Sequence, residues 1–85
     1  MEETMYDGEL KEMAGKLRQY YSEYRTLRMR LIHFRNRKAE MEKRKALEHA
    51  EAYAMSIEDT LLQLHNTRGC IRLAADIVRS MKEAS

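Results

Sequence analysis

The sequence predicts an all-α fold, an antiparallel helical hairpin with coiled-coil-like packing, completed by a short third helix and paired with a second copy. Three observations point there. From Leu10 to Phe34 apolar residues recur at alternating spacings of three and four (Leu10, Met13, Leu17, Tyr20, Tyr24, Leu27, Leu31, Phe34), which is the seam of a helix that needs a partner along its length. A second run with the same period, Leu47, Ala50, Ala54, Ile57, Leu61 and Leu64, sits in a different frame. Finally, the chain has no Pro, only 3 Gly and 35% charged residues, a composition that favours long helices over strands.

Taken in order, residues 1–6 lack periodicity and are expected to fray, with Thr4 or Asp7 as N-cap. The first helix is expected over 8–35. Acids near its start suit the positive end of the helix dipole, and Gly15, at an outward position, costs about 1 kcal/mol relative to Ala without breaking it. Ala14 and Tyr21 widen the apolar face beyond a two-stranded seam. Continuing the first frame past Met41 would bring Lys45, Glu48 and Ala52 onto the seam, so the apolar face has to rotate between the two runs. A basic turn over 36–45 resolves the conflict, with Asn36 as its most αL-tolerant residue, and folds the second run back on the first. The competing arrangement is one uninterrupted helix through both runs. The second helix is expected over 46–66 and ends in His65-Asn66-Thr67-Arg68-Gly69, where Thr67 can cap the next helix. A third helix over 70–83 carries Ile71, Val78 and Met81, with Leu73, Ala74, Ala75 and Ile77 broadening its apolar arc. It either plugs the hairpin or forms the dimer interface.

With 85 residues the chain makes one small domain that buries only about 60–65% of its unfolded surface. A thin helical core of this kind gains most from a second copy, so a homodimer is expected. Cys70 is the single cysteine and cannot form an intrachain disulfide. Nothing resembles a signal peptide or a membrane span, which favours a cytoplasmic protein without membrane association.

Net charge is only +2, yet its distribution is uneven. Between Arg25 and Lys45 lie Arg25, Arg28, Arg30, Arg35, Arg37, Lys38, Lys43, Arg44 and Lys45 against Glu40 and Glu42, a local balance of +7. These bases are the candidate contacts to an acidic partner or to nucleic acid phosphates, although Arg25, Arg28, Arg35, Lys38 and Lys45 do not share one face of a single helix. Within this segment Ile32-His33-Phe34-Arg35-Asn36-Arg37-Lys38-Ala39 resembles the recognition-helix core of a homeodomain, which would imply an Asn reading adenine. His33 stands where that family has tryptophan, Glu40 falls where a base meets phosphate, and only 31 residues precede the motif. The spacing of Asn36 and Arg44 resembles a bZIP basic region, without its alanine-rich interior or a following zipper. Both are read as accidents of a basic helix.

His33, His49, His65 and Cys70 lack the close-spaced second pair of a structural zinc site, so no metal is assigned. Glu48, His49, Ser56 and Asp59 offer acid, base and hydroxyl without a positioning context, and no Gly-rich phosphate loop occurs. No catalytic residue, cofactor or small-molecule substrate is expected. Tyr20, Tyr21 and Tyr24, with 7 Met along the chain, suit either core packing or a surface that docks protein. The expected function is therefore a small adaptor or regulator that binds a partner protein, the alternative being a nucleic-acid-binding regulator.

Overall fold

The computed structural model describes residues 7–84, and over them the chain is two long helices, α1 (Asp7–Lys43) and α2 (Leu47–Ala84). They pack side by side as a hairpin 68 Å long and 15 by 13 Å across, with no strand among the described residues. The segment 1–6 expected to fray, and the Thr4 cap within it, lie outside the described residues.

In α1 the buried residues are Leu27, Leu31 and Met41, and Leu10, Met13, Leu17, Tyr20, Tyr24, Phe34 and Lys38 are half-buried. In α2 Ala50, Thr60, Leu64, Ala74 and Val78 are buried, with Tyr53, Ile57, Thr67, Ile71 and Met81 half-buried between them. Both sets run at alternating spacings of three and four, so each helix keeps one continuous seam toward the other. Leu27, Leu31 and Leu64 form the central cluster, with Tyr24 and Ile57 packed against it. Thr60 is the buried polar residue of the seam, at 2% exposure, and its hydroxyl donates to the Ser56 carbonyl at 2.7 Å. That bond removes the penalty of an unpaired hydroxyl in a dry site.

Three sequence expectations are corrected. The turn lies at Arg44-Lys45-Ala46, and Asn36 is inside α1. Met41 is buried and Lys38 half-buried, so packing continues past Asn36. The ion pairs Arg37–Glu40 (2.9 Å), Lys38–Glu42 (2.7 Å) and Arg44–Glu40 (2.8 Å) run along the same turns of helix. The helix then closes with a Schellman cap: Ala46 N–H donates to Met41 C=O (2.9 Å), and Lys45 N–H donates to Glu42 C=O (3.0 Å). Lys45 takes the left-handed conformation there, at φ 59°, where glycine is usual. No glycine or asparagine advertised the turn.

The second correction is the break at 65–69, which does not occur. Gly69 lies inside α2 with nothing within 4 Å of a Cβ placed on it, and 70–83 is the end of α2 rather than a third helix. The seam through Leu64, Thr67 and Ile71 crosses the glycine on its other side, and packing offsets its cost of about 1 kcal/mol. Part of the apolar arc of 70–83 packs against α1, where Ala74, Ile77 and Cys70 form a groove with Met13, Lys16 and Tyr20, while Leu73 stays 63% exposed.

The third correction concerns register. Leu47 and Leu61 are 66% and 43% exposed, outside the hairpin core, and Ala54 is half-buried at its margin. Their places in the seam belong to Ala46, Tyr53 and Thr60.

Candidate interaction face

Helix register, rather than position in the sequence, sorts the charges. The bases of 25–45 fall into three groups once α2 is in place. Near the turn, Arg37, Lys38 and Arg44 are held by Glu40 and Glu42, and exposed Lys43 and Lys45 flank them. Arg37 also donates to the Tyr53 hydroxyl at 3.4 Å and lies 5.9 Å from its ring centre, while the Tyr53 ring tilts against Phe34. The tyrosine hydroxyl and the nearby Glu40 raise the Arg37 pKa. Arg30 faces the opposite groove, beside Glu23, Thr26, Gln63 and Asn66.

Arg25, Arg28 and Arg35 form the remaining group. Arg28 shares an open groove with Tyr24, Leu31, Leu61, His65 and Arg68, and Arg35 lies in the next groove along, with Ala54, Ile57 and Glu58. Arg25 is one turn from Arg28, and Arg72 one turn from Arg68, so helical spacing adds both to the same side, as it adds Arg18. On this side α1 presents no acid from Lys11 to Arg35 in the series 11, 14, 18, 21, 25, 28, 32, 35. Nor does α2 from Leu61 to Lys82 in the series 61, 65, 68, 72, 75, 79, 82. Toward the turn acids return, at Glu58, Glu51 and Glu42, and Arg79 of the second series pairs with Asp76 at 3.9 Å.

Arg68 joins this face to the core. It donates to the Tyr24 hydroxyl at 2.9 Å and sits 5.8 Å from the ring centre. That hydrogen bond, reinforced by the charges of Arg68 and Arg28, holds the Tyr24 pKa below its ordinary value and raises that of Arg68. Arg18, Arg25, Arg35 and Arg72 have no ion-pair partner among the described residues. A window of 21 residues along the sequence misses Arg18, Arg68 and Arg72. The signal that finds Arg68 and Arg72 is the period of the arginines in α2, visible once 65–69 is read as helix, and Arg18 follows from the same period in α1, one heptad before Arg25.

Apolar side chains are interleaved with these cations: Tyr21, Ile32 and Leu61 are 48%, 55% and 43% exposed. Elsewhere Met29, Met55, Leu62 and Leu73 also face solvent. Segment 32–39, which resembles a homeodomain recognition helix, is the interior of α1 in a two-helix rod. Among the described residues no group of His, Cys, Asp or Glu is placed to hold a metal ion, and no helix is long and apolar enough to cross a membrane. Cys70 is free and exposed. Compared with protein-family models, with curated proteins and with solved structures, the chain matches none.

Proposed function

We propose that this chain is a helical interaction module, an adaptor or regulator that acts by docking a partner protein against the outside of its hairpin, and not an enzyme. The supporting observation is surface. The chain exposes 6946 Å², whereas a compact monomer of 10.1 kDa exposes roughly 5,300 Å². Part of the excess is apolar, in side chains that a free-standing hairpin has no reason to leave wet: Leu47, Met55, Leu62 and Leu73 are each more than half exposed. The open grooves between the helices suit another helix better than a small molecule, which needs an enclosing site. Self-association into a dimer belongs to the same reading, because a second copy is one way to cover Leu47, Met55 and Leu62. So does a cytoplasmic setting, in which the exposed thiol of Cys70 stays reduced.

Photo-crosslinking from positions 55 and 62 in the native host, with sedimentation analysis of the purified chain, tests the proposal. We expect discrete crosslinked species, to a partner or to a second copy. A chain that stays monomeric at high concentration and crosslinks to nothing overturns it. A nucleic-acid-binding regulator is the second reading, and the arginine face favours it: cations without intervening acids bind phosphates in a salt-sensitive manner.

A further inference from the structure

We infer that the arginine face docks an acidic amphipathic helix of a partner protein, laid in the groove between α1 and α2 as the third helix of a bundle. The inference rests on the interaction-module reading and specifies its partner.

Shape comes first. Two helices packed side by side leave a shallow trough, floored on this side by the apolar flanks of Tyr24, Leu31 and Leu64. A third helix nests in such a trough at the ordinary interhelical distance of about 8–10 Å. From Arg18 to Arg35 the face runs 17 residues of α1, or about 26 Å, enough for roughly five turns of an occupant.

Surface chemistry selects the occupant. Tyr21, Ile32 and Leu61 stand exposed among the arginines, and a phosphate backbone offers them no apolar cover. An amphipathic helix covers them with one stripe and offers carboxylates from its flanks to Arg25, Arg28, Arg35 and Arg72. Arginine suits that role because its planar fork pairs bidentately with carboxylate and is less strongly hydrated than an ammonium. A second copy fits this face poorly. Its own arginines would meet the same cations, while Glu40 and Glu42 are already engaged with Arg37, Lys38 and Arg44. Near the turn Glu51 and Glu58 interrupt the cations, so the end of the occupant that lies there carries fewer acids.

The test uses three synthetic peptides of about 21 residues, long enough to span the face: Leu and Glu in helical amphipathic order, the same order with Lys for Glu, and the Leu/Glu composition scrambled. Fluorescence anisotropy with the full chain should show binding of the first alone, weakened about tenfold or more at high salt. Arg25→Glu with Arg72→Glu, neither of which has an ion-pair partner in the hairpin, should abolish that binding while helical circular dichroism is kept. Equal binding of the scrambled peptide, or binding unaffected by the double change, overturns the inference. So does tighter binding of duplex DNA or RNA at the same salt, which assigns the face to phosphates. Dimerisation lost on the same double change likewise overturns it, assigning the face to a second copy. If the peptide fails while crosslinks from position 62 persist, only this inference falls; if both fail, the interaction-module reading falls with it.

Discussion

Arg68 donates a hydrogen bond of 2.9 Å to the hydroxyl of Tyr24, across the hairpin and 44 residues away in sequence. On the opposite side of the seam Arg37 makes the corresponding contact with Tyr53, at 3.4 Å. In each case a guanidinium also lies over the ring, so one arginine ties the helices together by a hydrogen bond and a cation–π contact. The two clasps pin register where the core is thin and, among the described residues, no side chain is completely enclosed.

The Tyr24 clasp has a pH signature. Arg68 stabilises the phenolate, so the folded Tyr24 pKa is lowered and its proton leaves the folded state before the unfolded one as pH rises. Between the folded value and an unfolded tyrosine's value near 10 the unfolded chain binds more protons, and this group adds stability with increasing pH. Ultraviolet titration of tyrosinate should show Tyr24 ionising early. We expect Arg68→Gln to move it back up and Tyr24→Phe to remove it. An early-titrating tyrosine that survives Tyr24→Phe excludes the assignment.

Register is tested by two leucines three residues apart. Leu64→Asp places an unpaired charge in the central cluster and should cost about 3–5 kcal/mol, enough to unfold so small a domain. Leu61→Asp changes a side chain that is 43% exposed and should cost about 1 kcal/mol or less. Urea midpoints measure both, and the reverse order would restore Leu61 to the core.

At the turn, Lys45→Gly keeps the left-handed cap and removes the Cβ strain, so it should stabilise the hairpin by about 1 kcal/mol. Asn36→Gly should do the opposite, costing a few tenths of a kcal/mol as a change inside a helix. Thermal midpoints that rise for Asn36→Gly and fall for Lys45→Gly would place the turn at Asn36 instead.

Gly69→Ala should stabilise the chain by about 1 kcal/mol, since its backbone is helical and a Cβ meets nothing within 4 Å. Gly15→Ala is open in the same way, and because no contact joins the two sites we expect their effects to add. A loss of stability in Gly69→Ala would mean that the helix does break there.

Much of the fold was legible because a period of three and four survives in the sequence whatever the tertiary structure does. An all-helical chain, and an α1 in need of a helical partner along Leu10 to Phe34, follow from patterning and from the lack of proline. Where the chain turns was settled elsewhere. Lys45 has no intrinsic preference for a left-handed conformation; it adopts one because α1 gains by burying Met41 before the chain reverses. The frame of α2 was likewise decided by the partner helix. Over a short window ending at Leu64, the line Leu47, Ala54, Leu61 looks the more apolar, but extended along one continuous helix it meets Arg68, Ala75 and Lys82. The line Tyr53, Thr60, Thr67 extends to Ala74 and Met81 and can follow α1 to its beginning, so burial summed over the whole length selects it. The arginine face comes from that choice. Sequence determined how many cations the chain carries and their spacing on each helix; only the pairing of α1 with α2 set Arg28 in one groove with Arg68, because a face shared by two helices has no counterpart in a linear window.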